Sequence, residues 1–292
     1  TMQFGGTADA GASRAMFDAC REAGVNHFDT AHVYTGGASE TLLGQFAKGE
    51  RDNIYVATKV AYTGGAGTEN INASFAASQK WLQLDCVDLL YLHRFDPDTP
   101  LGETFEALAR LQQSGKIRQI GVSNYAAWQV VKAQGVAADL GIRIDMIQPM
   151  YSLVKRQAEV ELLPMAKSEG IGVAAYSPLG AGLLTGKDTR RGDGRLATDS
   201  RYAARYGQPW MHKTAQEFAA LATQMQMDPA TLAVAWAAHH PSITCPITSA
   251  RSIDQLRPSL AAAQISLSGE DYARITALSQ APAPATDRLE EA

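Results

Sequence analysis

Four side chains have the types and settings to do chemistry together: Asp29, Tyr34, Lys59 and His93. Asp29 closes the apolar run "NHFD", Lys59 stands near the end of "YVATKV", and His93 ends "LLYLH". Tyr34 follows Asp29 by five positions, beside the glycines of "YTGGASE". Taken singly, each has an ordinary use. An Asp after a strand is commonly a turn or cap residue, a Lys reaches out to solvent, a His fills a polar niche in a core, and a Tyr packs in a loop. Taken together they resist those readings, because an unpaired ammonium at an apolar strand end is costly and Asp29 is its natural counter-ion. A phenol titrates near pH 10 and gives up its proton reluctantly at neutrality, at about that value. A neighbouring ammonium favours the phenolate and makes the phenol a better acid. Asp29 would keep Lys59 charged and aimed. A neutral His93 would donate a hydrogen bond to a carbonyl oxygen and orient a substrate. This is a general acid with its tuning shell, suited to protonating an alkoxide formed by hydride attack.

Such a group needs elements that bring distant residues to one place. Four segments share a pattern: "REAGVNHFDT", "QQSGKIRQIGVSN", "ADLGIRIDMIQPMYS" and "KSEGIGVAAYSPL". Each ends a helix-like stretch, places a Gly, and runs into an apolar segment of strand length. Gly there suits the left-handed turn that closes a helix. Ile71, Phe75, Ser78 and Leu82 repeat at helical spacing, as do Leu101, Phe105, Leu108 and Leu111. Strand ends are expected near Gly6, Asp29, Lys59, His93, Ser123, Tyr151, Tyr176 and Ile247, with helices after most of them. Eight alternating units with nearly continuous apolar strands predict an α/β protein whose parallel sheet is buried on both faces. That is a single-domain (β/α)8 TIM barrel over residues 1–292, its N-terminal strand incomplete. An open doubly wound sheet would carry a glycine-rich phosphate loop after its first strand, and "FGGTADAGAS" is a weak substitute. In such barrels catalysis occurs at the C-terminal strand ends, where Asp29, Lys59 and His93 are all expected. Residues from about Gly186 to Trp210 are expected to form a loop over the barrel mouth, and 281–292 a mobile tail.

Composition narrows the partners. With 292 residues and 46% hydrophobic content, the chain can bury a large core without staples. A formal net charge of -4 with 19% charged residues gives no electrostatic case for nucleic acid or an anionic membrane. No basic run or long apolar segment is present, so no membrane span is expected, and "TMQFGG" is not a signal peptide. Cys20, Cys86 and Cys245 form no CxxC pair and are expected to be small buried hydrophobes in a reducing, cytoplasmic setting. No metal site is expected. A metal-dependent hydrolase is the weakest alternative, because a compact His and carboxylate ligand cluster is missing from the sequence.

The motifs "FDTAHVY", "ATKV", "LLYLHRFDP", "IGVSN", "QPMYS" and "AYSPLGAGLLTGK" resemble those of the aldo-keto reductase family in order and spacing, from "TMQFGG" to about Leu260. The resemblance implies an NADPH-dependent carbonyl reductase on a (β/α)8 barrel. It implies Asp29, Tyr34, Lys59 and His93 as the catalytic tetrad, with Tyr34 the proton donor. Cofactor residues are carried over by position. Ser123, Asn124 and Gln148 would hold the nicotinamide carboxamide, and Tyr176 would stack on its ring. Within Ser177 to Lys187, Ser177, Leu179, Gly182 and Lys187 would meet the pyrophosphate region. In "PITSARSIDQLRPSL", Ser249 and Arg251 would take the adenosine 2′-phosphate, with Gln255 and Ser259 toward adenine or its ribose. The chain departs from the family pattern at Thr248 or Ser249, where Gly is usual, at Ser259, where Asn is frequent, and at Thr35, where Gly is common. The implied partner is a small aldehyde or ketone, with Tyr62, Arg94, Phe95, Met150, Tyr151 and Trp210 bordering its pocket. A catalytically weak NADPH-binding regulatory or auxiliary subunit is the alternative, since some relatives of this fold serve ion channels.

Overall fold

The computed structural model describes residues 1–187, 199–288 and 290. Seven strands run parallel and neighbour one another in chain order: β1 His27–Asp29, β2 Tyr55–Val60, β3 Val87–Leu92, β4 Ile117–Ser123, β5 Met146–Gln148, β6 Gly172–Tyr176 and β7 Cys245–Ile247. Eleven α-helices alternate with them among the described residues. They are α1 Ala10–Glu22, α2 Ala38–Ala47, α3 Thr68–Leu82, α4 Leu101–Gln113, α5 Ala127–Asp139 and α6 Leu162–Ser168. Then follow α7 Ser200–Tyr206, α8 Pro209–Gln224, α9 Pro229–His239, α10 Ile253–Ala261 and α11 Gly269–Thr276. Parallel strands in sequential order with helical crossovers are the architecture of a (β/α)8 barrel, the expected fold class. The residues group into two compact units, Thr1–Gln148 with Ser249–Leu256, and Pro149–Thr248 with Arg257–Ala292.

Three expectations need correction. The segment near Gly6 is not a strand. It is a turn closed by a one-residue bridge between Phe4 and Ala8, so the described residues hold seven strands rather than eight. The strand expected to end at Tyr151 stops at Gln148, before Pro149, which has no N–H to give a ladder. The interval from Gly186 to Trp210 is partly helical. The Asp199 side chain accepts from the Arg201 amide at 2.9 Å and starts α7, and Pro209 takes the first position of α8, where its missing N–H costs nothing. The rest of that expected loop, 188–198, and residues 289, 291 and 292 of the expected tail lie outside the described residues.

The helix closures follow the sequence pattern. Gly24, Gly115, Gly141 and Gly170 all adopt positive φ, between +64° and +82°. In α3 the buried positions are Ile71, Ser74, Phe75, Ser78 and Leu82, one apolar stripe. Every residue of β3 is buried, including Asp88. Asp88 is matched there by Arg51 at 2.8 Å, Arg118 at 2.9 Å and the Val56 amide at 2.8 Å. The three cysteines form no disulfide and are half-buried rather than buried. Among the described residues no helix is long and apolar enough to cross a membrane.

Candidate active site

Strand alternation places the first unit's polar groups. Side chains two apart share a face, so Lys59 follows Tyr55 and Ala57, His93 continues Leu89 and Tyr91, and Gln148 follows Met146. Ala57, Leu89 and Tyr91 form one apolar cluster with Tyr55 and Met146 packed on it. The polar residues sit one step further toward the C-terminal strand ends. Register aligns the levels: Asp29 pairs with Ala57, Lys59 with Tyr91, and Ser123 with Gln148.

Lys59 is 1% exposed and forms an ion pair with Asp29, itself 8% exposed. Its ammonium also donates to the Thr30 carbonyl at 2.7 Å. The Tyr34 side chain hydrogen-bonds the same ammonium, whose nitrogen lies 5.0 Å from the phenol ring centroid. Three acceptors thus meet three N–H donors. Burial alone would make Lys59 a weaker base, yet Asp29 and Tyr34 outweigh it and raise its pKa. Burial works to raise the Asp29 pKa, and the Lys59 charge overcomes this and lowers it. The pair is therefore charged. The ring of His93 meets that of Tyr34 edge to face, centroids 5.9 Å apart. Burial first, then the Lys59 charge, push His93 down to about 3, so it is neutral at physiological pH. Its Nδ1 is buried with no hydrogen-bond partner among the described residues. The four expected catalytic side chains are brought together.

Local structure holds Tyr34 in place. The turn Tyr34–Gly37 contains Thr35 at φ +48° and Gly36 at φ +61°. Thr35 tolerates its left-handed backbone because its hydroxyl donates to the Phe4 carbonyl at 2.8 Å and accepts from the Ser39 amide at 2.9 Å. Gly37, at φ +91°, leaves room for Trp81, whose ring also stacks on His32 at 5.0 Å. Trp81 was not anticipated as a support, because nothing local in α3 marks it.

The expected carboxamide residues do more than face outward. Asn124, at φ +58°, donates to the His93 carbonyl at 2.9 Å and to Ser123 Oγ at 3.1 Å. Ser123 Oγ donates to the Gln148 carbonyl at 2.9 Å. Gln148 Nε2 donates to Asp29 Oδ2 at 2.9 Å. The amides thus lock adjoining strand ends, and Gln148 gives the carboxylate its second anchor. Buried Glu40, whose partner Thr58 precedes Lys59, also escaped sequence reasoning. It accepts from Thr58, and burial raises its pKa.

Arg251, half-buried, and exposed Ser249 precede α10 in the first unit. Gln255 Oε1 accepts from the Arg251 amide at 3.3 Å, and its own amide donates to Ser252 Oγ at 3.4 Å. This is a local cap, foreshadowed by "SIDQ", and it occupies the Gln255 carbonyl expected to face adenine or ribose.

In the second unit, Tyr176 ends β6 half-buried and bridges Met150. Ser177 (φ +62°), Gly180 (+56°), Ala181 (+58°) and Gly182 (+99°) then give a run of left-handed backbone. The Leu179 carbonyl accepts from the amides of Gly182 at 3.0 Å and Leu184 at 3.1 Å. Lys187 is exposed and Ser259 buried. Tyr151, expected at a pocket border, is instead fully buried, stacked on Trp236 at 5.1 Å and donating to Glu159 at 2.7 Å.

The profile of the Aldo/keto reductase family matches residues 1–280. The chain belongs to the aldo/keto reductase family. This aldo/keto reductase family member is similar to YrpG, an uncharacterized oxidoreductase of Bacillus subtilis (strain 168). Identity is 35%, over 92% of this chain and 87% of the relative. It is 33% identical to aflatoxin B1 aldehyde reductase member 2 of Rattus norvegicus, over 90% and 78% of the two chains. A probable voltage-gated potassium channel subunit beta of Oryza sativa subsp. japonica is 32% identical, over 87% and 82%.

Proposed function

We propose that this family member transfers hydride reversibly from NADPH to an aldehyde or ketone, with Tyr34 as proton donor. The observation that carries the reading is the shared ammonium: Lys59 is buried, paired with Asp29 and hydrogen-bonded to the Tyr34 side chain. An ammonium so placed favours phenolate, which makes the phenol an effective acid toward an alkoxide. Neutral His93 suits hydrogen bonding to the substrate carbonyl.

The donor set suits a nicotinamide cofactor. Ser123, Asn124 and Gln148 are uncharged, and the Gln148 side-chain carbonyl is not used in the bonds that lock the strand ends. Tyr176 offers a flat ring. The left-handed backbone at Ser177 and at Gly180, Ala181 and Gly182, broken by Pro178 and Leu179, is the kind of turn-rich loop that cups anions, as a pyrophosphate site requires. Arg251, with Ser249, supplies a guanidinium for a 2′-phosphate. The cofactor supplies the hydride; the chain's residues orient the carbonyl and deliver a proton from the Tyr34 oxygen.

Tyr34→Phe should abolish NADPH consumption with small aldehydes, by about 10³-fold or more, while fluorescence titration shows near-normal NADPH affinity. Near-normal turnover in this variant would end the assignment. A second reading, a slow NADPH-binding regulatory subunit, draws on the likeness to the rice protein. Tight NADPH binding with negligible wild-type turnover and a stable protein partner would favour it.

A further inference from the structure

Beside His93 stands a cation that the proposed reaction leaves unused. Arg94 is exposed, and among the described residues it forms no ion pair. Its guanidinium carbon lies 5.3 Å from the ring centroid of Tyr62, and that ring lies 4.8 Å from the centroid of His93. Tyr62 is itself 40% exposed. The two separations, 5.3 Å and 4.8 Å, keep the guanidinium within reach of a carboxylate on a rigid benzaldehyde whose carbonyl meets His93. Asp96, two positions along, is a carboxylate whose charge interacts with that of Arg94. Its oxygens are committed to the Ala66 amide at 2.7 Å, Thr99 Oγ1 at 2.6 Å and the Asp98 amide at 3.0 Å. Asp96 keeps its charge in these bonds and acts on Arg94 through space, but its oxygens are held in the loop and no ion pair forms between the two among the described residues. Stacking on Tyr62 holds the guanidinium by its face and leaves its N–H fork for a bidentate anion. Next along the chain, Phe95 packs edge to face on Trp128, centroids 6.0 Å apart, and Trp128 is 61% exposed. Exposed aromatic surface and a cation without an ion pair among the described residues thus lie beside His93.

We infer that Arg94 is a specificity residue that selects aldehydes and ketones carrying a carboxylate, with Tyr62 as the flat spacer between the anion and the carbonyl at His93. The inference rests on the reductase reading of the site. A carboxylate on Arg94 gains charge-assisted, paired hydrogen bonds, while a neutral analogue leaves the fork to water.

The test compares 4-formylbenzoate with its methyl ester, which share ring and aldehyde and differ in charge. In NADPH-consumption assays the wild type should prefer the acid by kcat/KM, and Arg94→Gln should reduce the acid-to-ester ratio by about ten- to a hundredfold. Arg94→Lys should recover part of the ratio, since it restores charge without the fork. Added salt should shrink the wild-type preference, as expected for an exposed cation. Equal turnover of acid and ester by the wild type, or a ratio unmoved in Arg94→Gln, overturns the inference and leaves the reductase reading standing. If neither aldehyde turns over, that reading falls, and calorimetry with 4-(hydroxymethyl)benzoate decides the anion site by itself. Binding at least tenfold weaker in Arg94→Gln supports it; equal affinity, or none to the wild type, overturns it.

Discussion

The strand ends of the first unit and the loop after β6 in the second are built on opposite principles. At Asp29, Lys59 and Gln148 the polar work is done by buried side chains, both Lys59 and Gln148 bonding Asp29 and Lys59 also reaching the Thr30 carbonyl and Tyr34. From Ser177 to Gly182 it lies in the backbone, with positive φ at Ser177 and at the three small residues Gly180, Ala181 and Gly182. A buried ion pair is expensive to assemble and more expensive to break. A left-handed turn costs little where it falls on glycine, as at Gly180 and Gly182, and more at Ser177 and Ala181. Proton chemistry needs the first kind of site, because a pKa is set by charge and burial. Holding a pyrophosphate can rest on the second, because amide N–H groups suffice.

Substitutions can break this contrast, and the largest effect belongs to the first region. Lys59→Met leaves Asp29 buried without its counter-ion, so denaturant unfolding should show a loss of about 3–5 kcal/mol. Turnover should fall by about 10²–10⁴-fold. Adding Asp29→Asn should return much of the stability and none of the turnover. Equal recovery of both would mean that the pair serves the fold alone.

Gly37→Ala comes next. The new Cβ would lie 2.7 Å from Trp81 ring atoms, at a φ of +91° that side chains avoid. Thermal unfolding should report a loss of about 2–3 kcal/mol, with lower turnover because this turn carries Tyr34. A normal melting temperature would show that Trp81 yields freely.

His93 sharpens the electrostatic side. An unfolded His takes up its proton near 6.5, and His93 in the folded chain does so near 3. The unfolded state therefore binds more protons between these values. Stability from this source is complete above 6.5 and is lost as pH falls toward 3. His93→Gln should flatten the acid limb of the stability profile, by on the order of 2–4 kcal/mol across the window. Parallel limbs for the two proteins would contradict a neutral buried imidazole.

The smallest effect is expected in the second region. Gly182 sits at φ +99°, but no atom lies within 4 Å of where a Cβ would stand. Gly182→Ala should cost only about 1–2 kcal/mol, and weaken NADPH binding severalfold with little change in turnover at saturation. A loss as large as that of Lys59→Met would erase the distinction between the regions.

Much of the first region was legible in the chain's order. A Lys, an Asp and a His at the ends of apolar runs are conspicuous against their neighbours, and period-two alternation says which face they share. Helix closures at Gly24, Gly115, Gly141 and Gly170 were readable for the same local reason. Less legible was what each amide would bond. Gln148 reaches Asp29 across 119 positions, and Gln255 is turned to a local cap. Tyr151, polar and next to a proline segment, resembled a pocket residue until Glu159 and Trp236 claimed it.

Residue types and spacing were enough to establish the alternation of strands and helices, the parallel sheet, and three reactive groups at strand ends with a fourth, Tyr34, in the turn beyond one of them, because those depend on local preference and periodicity. Tertiary structure alone decided that the segment near Gly6 turns back, that Trp81 braces the Tyr34 turn, and that Arg94 stands over Tyr62 unmatched by Asp96. Trp81 and Tyr62 are remote in sequence from the turn and the arginine they meet, and the short turn near Gly6 rests on backbone bonds that residue types alone do not fix.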